Sequence, residues 1–191
     1  MGKYNKTDND EYLLRNNLLG IHSMKELEKA ETLAFSLRAA ELEHENSQVL
    51  FTLEGFKDLH YYLFQDIYSF AGQFRDVQLA KGGTRFCQVQ YLNDYATNLF
   101  KELHDEPTWQ SIEEAAERLA YFKSELNMLH PFREGNGRTT RVFINEFALS
   151  RGIIWTYETM EPENYMQAMK QSVPDLTALY QLFLDTIRFV K

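Results

Sequence analysis

Cysteine is almost missing from this 191-residue chain, which carries Cys87 alone. One thiol can close no intramolecular disulfide and build no cysteine zinc cage, so a small disulfide-stapled secreted scaffold is excluded and a reducing compartment suits the chain. Long apolar runs are missing as well: none approaches the roughly 18 to 20 residues that cross a bilayer. The opening MGKYNKTDND lacks the apolar stretch of a signal peptide. A cytoplasmic location with no membrane partner is the expectation. Positive charge is in deficit, with 20 Lys and Arg against 28 Asp and Glu and a net charge of −8. That balance argues against gripping nucleic acid by bulk electrostatics, and any anion site must be local. Walker A and Rossmann glycine patterns do not occur. What remains, 44% apolar and 25% charged, is the composition of one globular domain with a real core.

Residues 1–11 read as a polar tail. Ser23-Met24-Lys25-Glu26 has the spacing of a capping box, and Leu27, Ala30, Ala34 and Leu37 recur at three and four, predicting a helix that ends near 44–47. A stripe through Leu53, Phe56, Leu59 or His60, Leu63, Ile67 and Phe70 predicts a second helix, stopping at Gly72. Residues 73–91 hold two β-compatible runs about Lys81-Gly82-Gly83-Thr84, which predicts a hairpin. Helical patterning resumes from Leu92 to Leu103, and again from a capping box at Ser111 to His130, where Pro131 disfavours helical geometry. A helix from about Gly137 to Gly152, an extended IIWTY, a short helix from Pro162 and a last one burying Leu176, Leu179, Phe183 and Ile187 complete the chain. The fold class is all-α: about seven helices and one hairpin, with residues 12–191 a single domain divided into an N-terminal extension (12–50) and a core (51–191).

Chemistry concentrates in His130-Pro131-Phe132-Arg133-Glu134-Gly135-Asn136-Gly137-Arg138-Thr139-Thr140-Arg141, a loop between one helix end and the next helix start. Two glycines flanking an asparagine tolerate left-handed backbone and can turn successive N–H groups into an anion nest. The following helix start adds free N–H groups and its dipole, so phosphate is the natural guest. Arg138 and Arg141, three apart, share a face and can reach back toward that anion. Glu134 stands beside it, and one carboxylate with phosphate oxygens and water is how Mg2+ is commonly held. His130 is the nearby group that accepts a proton near neutral pH, and its place at a helix C-terminus would raise its basicity. Together they describe a device for transferring part of a nucleoside triphosphate.

These residues resemble a known family: HPFREGNGRTTR agrees at every defining position with the Fic motif H-x-F-x-[D/E]-G-N-G-R-x-x-R. From about Phe51 to Phe189 the order of helix, flap hairpin, motif, Tyr-x-Gln-Ala-Met and a last helix opening Asp-Leu is also similar to that of Fic proteins. Residues 12–46 resemble the N-terminal region of bacterial Fic toxins that pair with a small separate antitoxin. The resemblance implies a Fic-type helical domain and a protein adenylyltransferase, moving AMP from ATP to a hydroxyl side chain of a target protein and releasing pyrophosphate. It implies His130 as the base, Glu134 on Mg2+, Gly135, Asn136 and Gly137 around the phosphates, Arg138 and Arg141 on the outer phosphates, and Phe132 anchoring the loop. A phosphorylating branch of the wider family carries lysine at the second glycine of the loop; Gly137 here favours AMP transfer. A Fic-type transferase of another nucleotide or of phosphocholine is an alternative, and a non-catalytic nucleotide- or protein-binding module is another, against which His130 and Glu134 speak.

By the same resemblance Lys81 and Gly82 belong to a flap over the active site that pairs with the target as an added strand, and Gln167 borders the adenine. His22, His44, His60 and His104 show no metal spacing and read as surface or capped histidines. Fic proteins are commonly silenced by a helix bearing [S/T]-x-x-x-E-[G/N], whose glutamate pairs with the second motif arginine. Thr159–Asn164 fits that pattern formally, but Pro162 disrupts a helix interior and the segment follows the motif helix too closely. Nothing in the N-terminal helices fits, so an inhibitory helix is expected in trans, from an antitoxin docking beside Arg141. Related toxins act on type II topoisomerase subunits, which makes such a subunit the first candidate target.

Overall fold

The computed structural model describes residues 6–44, 49–81 and 84–190. Its elements are α1 (Lys6–Asn16), α2 (Met24–His44), α3 (Leu53–Phe64), β1 (Ala80–Lys81), β2 (Thr84–Arg85), α4 (Leu92–His104), α5 (Ile112–Leu129), α6 (Asn136–Ser150), β3 (Ile153–Trp155), α7 (Pro162–Gln171), α8 (Thr177–Thr186) and β4 (Ile187–Phe189), with short 3-10 turns at Val89–Tyr91 and Tyr157–Thr159. The chain is mostly helical, as its periodicities predict.

α5 forms the axis of the core. Ser111 caps it, its hydroxyl accepting the Glu114 N–H at 3.1 Å, and Ala115, Leu119, Phe122, Leu126 and Leu129 are fully buried along it. α6 packs against α5 and α3, while α8 and α4 cover further sides of α5. Phe56, Phe143 and Phe147 interlock between these helices, Phe56 meeting Phe143 edge-on at 5.0 Å. Burying each such side chain contributes about 1.5–3 kcal/mol, which anchors the α5–α6 corner where the loop sits. Among the described residues no helix is long and apolar enough to cross a membrane.

The expected hairpin is present, and three other expectations need correction. Helix α1 takes in residues 6–11 of the stretch expected as a tail, giving eight α-helices among the described residues. α3 stops at Phe64 rather than at Gly72, because residues 64–72 turn back on α1: the Leu18 N–H bonds to the Ile67 carbonyl (2.8 Å) and the Ser69 N–H to the Asn16 carbonyl (3.1 Å). Ile67 and Phe70 stay buried all the same, so the stripe is real while the helix is not. α8 ends at Thr186, and Ile187 instead opens β4, which pairs antiparallel with β3 so that Ile154 faces Arg188; the β-branched run at 153–154 offered a ladder that outcompeted another helical turn. The flap strands are two residues each, Ala80 opposite Arg85 and Lys81 opposite Thr84. Gly82, Gly83 and the Lys81 side chain lie outside the described residues.

Candidate active site

His130 terminates α5 in the left-handed region, φ 42° and ψ 57°, with its N–H bonded back to the Leu126 carbonyl at 3.2 Å. Its Nδ1 lies 3.1 Å from the Asn127 carbonyl. A carbonyl only accepts, so Nδ1 carries the hydrogen and Nε2 is the basic nitrogen. The imidazole lies flat on Phe86, centroids 3.7 Å apart and planes 6° from parallel. Phe86 follows β2, which brings the flap hairpin directly against the proposed base.

The loop that follows is pinned from inside. Phe132 is fully buried and stacks on His60 at 3.7 Å. The Asn136 side chain closes on the loop backbone, accepting the Phe132 N–H at 2.8 Å and donating to the Phe132 carbonyl at 2.7 Å. Its amide thereby shapes the loop, while its own backbone N–H stands at the start of α6. His60, also buried, receives the Gly72 N–H on Nδ1 (2.8 Å), which leaves its hydrogen on Nε2 to donate to the Glu134 carbonyl (2.9 Å). Burial first of all, aided by the charge of Arg138 and opposed by the bond to Glu134, pushes His60 down from 6.5 to about 4. Of the two expectations, surface or capped, His60 meets the second: it is a neutral buried strut with both ring nitrogens hydrogen-bonded.

The nest differs in detail from its sequence reading. Gly135 alone takes a positive φ, 80°, and an added Cβ there would meet the Phe64 ring at 2.5 Å. Asn136 and Gly137 already belong to α6. The anion seat is thus one left-handed glycine followed by a helix start, whose first N–H groups lack intrahelical acceptors. Gly137 is exposed, and an added Cβ would have no atom within 4 Å. Glu134 turns its carboxylate onto the same corner: Oε1 accepts the Gly135 N–H at 2.9 Å and lies 3.5 Å from Arg138 Nη2.

The two motif arginines are treated differently. Arg138 lies over Phe64 (4.9 Å) and is paired with Glu31 of α2, whose second oxygen accepts the Tyr68 hydroxyl. Burial, then the neighbouring Glu31 carboxylate, raises the Tyr68 phenol well above its ordinary range, keeping it a donor. Arg141 rests 5.6 Å from the Tyr157 ring and forms no salt bridge among the described residues. Arg133 sits 3.7 Å over Tyr12 and pairs with Asp76 at 3.4 Å, tying α1 to the loop. Gln167 is exposed on α7.

Sequence reasoning passed over Arg75, a lone arginine in the 73–79 run. It is 3% exposed and donates to the His130 carbonyl (2.8 Å), the Val77 carbonyl (2.6 Å) and the Cys87 carbonyl (2.6 Å). Burial pushes its guanidinium down to about 10, still charged at neutrality. Neither Arg75 nor Glu31 leaves a mark in any periodicity. His60 did, as the alternative to Leu59 on the buried stripe of α3.

The model of the Fic/DOC family matches residues 50–148. Over 174 residues the chain is 34% identical to the "Probable protein adenylyltransferase Fic" of Escherichia coli, covering 90% of this chain and 86% of that protein. It is 34% identical over 158 residues to the protein adenylyltransferase VbhT of Bartonella schoenbuchensis, covering 82% of this chain but 33% of that longer protein. Among solved structures, the BepC protein of Bartonella tribocorum with bound AMPPNP superimposes with a TM-score of 0.81 at 22% identity, covering 92% of each chain. The family match, the shared helical frame and a loop closed by Phe132, Gly135 and Asn136 converge on one assignment: the chain belongs to the Fic/DOC family, as a protein adenylyltransferase of Fic type.

Proposed function

We propose that this enzyme transfers AMP from ATP to a hydroxyl side chain of a target protein, with His130 as general base. One observation carries the reading. The imidazole, its Nδ1 hydrogen committed to the Asn127 carbonyl, stands at the end of α5 with Nε2 as the basic nitrogen, and one short loop links it to the start of α6, whose first N–H groups and arginines suit an anion.

The target oxygen forms its bond to the α-phosphorus as its proton passes to Nε2, and the bond from that phosphorus to the bridging oxygen breaks, releasing pyrophosphate. Base catalysis of this kind contributes roughly 10²- to 10⁴-fold. The larger contribution comes from offsetting charge on the departing pyrophosphate, the task of Arg138 and Arg141. Glu134 fits Mg2+: its carboxylate already sits at the phosphate corner, and one carboxylate beside phosphates is that ion's ordinary donor set. Among the described residues no cluster of three His, Cys, Asp or Glu offers a self-sufficient cage. When bound, the ion would neutralise phosphate charge. ATP as donor is supported by the AMPPNP of the BepC neighbour.

The reading extends to Lys81 and Gly82 as flap contacts and Gln167 at the adenine side. It extends also to a cytoplasmic toxin silenced by an antitoxin helix directed at Arg141, since Arg138 already has its carboxylate while Arg141 has none among the described residues. A type II topoisomerase subunit is the first target to try. Incubation with labelled ATP, magnesium and bacterial lysate, with wild type and His130→Ala, followed by mass spectrometry, tests the core of it: one AMP should be added to a target hydroxyl by wild type alone. An unmodified lysate, or equal labelling by the variant, overturns the proposal.

A further inference from the structure

Three backbone segments meet on Arg75. Its Nε donates to the His130 carbonyl and Nη2 reaches the Leu129 carbonyl (3.5 Å), both at the end of α5, while its own N–H bonds to the Pro131 carbonyl (2.7 Å). The remaining donors go to Val77 before β1 and Cys87 after β2, the two stems of the flap. Every acceptor is a main-chain carbonyl. A buried guanidinium given to carbonyls alone is a costly way to hold a turn, and helix-end carbonyls are the sites where a cation is best tolerated. The Cys87 N–H adds a bond to the Met128 carbonyl at 2.8 Å. Phe86, 7% exposed, then lies parallel on the imidazole.

We propose that Arg75 and Phe86 are positioning residues through which the flap hairpin sets the orientation of the His130 ring. The Asn127 carbonyl engages Nδ1, and the Phe86 face lies parallel to the ring and sets its plane. The plane therefore follows the flap, and Arg75 is the clamp that holds flap and α5 terminus in register. A target laid on the flap is placed by the same element that aims the base, so target register and base alignment are set together. The inference rests on the reading of His130 as base.

The test compares wild type, Arg75→Lys, Phe86→Leu, Phe86→Tyr and His130→Ala in steady-state transfer to a purified target, with ATP titrations and melting temperatures alongside. Misplacing a catalytic group by about 1 Å costs up to roughly 10²-fold. Phe86→Leu, which keeps apolar bulk but loses the flat face, should lower kcat about tenfold while leaving KM for ATP within about twofold, and Phe86→Tyr should restore kcat. Arg75→Lys should act in the same direction, because a point charge cannot reach both segments as a planar fork does. Wild-type kcat in Phe86→Leu, failure of tyrosine to restore it, or a rise in KM for ATP matching the loss would overturn the inference. Transfer surviving in His130→Ala overturns the reading beneath it instead.

Discussion

Glu31 of α2 and Arg138 of α6 form an ion pair across 107 residues of chain, with side chains 10% and 24% exposed. The carboxylate offsets the charge of an arginine proposed to meet phosphate, and it stands where an incoming polyanion is repelled. Glu31→Gln keeps an acceptor for the Tyr68 hydroxyl while removing that charge. Calorimetric titration with a non-hydrolysable ATP analogue should show binding tightened about three- to tenfold, the scale of one partly screened charge pair. Weaker binding would mean that Glu31 holds the guanidinium in place.

The loop's two glycines should behave oppositely. Gly135→Ala forces a side chain into left-handed backbone and into the Phe64 ring, and denaturation should show a loss of about 2–4 kcal/mol. Gly137→Ala meets no atom and improves helix propensity, so stability should hold or rise by up to about 1 kcal/mol. Its nucleotide affinity should nonetheless fall about tenfold, because a methyl group would then stand where a phosphate approaches the helix start. Unchanged affinity would place the phosphates elsewhere.

His60 gives stability a pH dependence. The unfolded chain takes up its proton below the ordinary 6.5, the folded chain only below about 4, so more protons bind the unfolded state between those values. The contribution is fully present above 6.5 and is lost as pH falls across the window, by about 2 kcal/mol at pH 5. Urea titrations at pH 7 and 5 should show that loss in wild type and a smaller one in His60→Gln. Equal losses in both proteins would remove His60 from the account.

Glu134→Ala should abolish magnesium-stimulated transfer and also free the Gly135 N–H and Arg138 of a competing carboxylate. Nucleotide binding without magnesium should therefore hold or strengthen, while the rate falls at least about 10²-fold. Retention of magnesium-stimulated turnover would remove the ion from Glu134.

Much of this site was legible because its parts are contiguous. His130, Glu134, Gly135 and Arg138 fall within nine positions of one loop, and capping boxes and apolar stripes announced the helices on either side. What lay hidden is long-range: Glu31 reaches the loop from α2, Arg75 from the flap stem and His60 from α3. No local pattern encodes such pairings, since each is a single polar residue whose meaning depends on which helix ends the fold brings together. The early stop of α3 and the β3–β4 ladder were missed for the same reason, tertiary partners having overridden a local preference.

His130 closes its helix in a conformation that favours glycine, the one non-glycine residue with positive φ among those described. An L side chain there costs about 1–2 kcal/mol. Selection for heat resistance alone, in laboratory or lineage, would drift toward glycine or asparagine at this position and arrive at a sturdier protein that no longer labels anything. Retention of the imidazole at a strained helix end is thus a signature of chemistry prevailing over robustness.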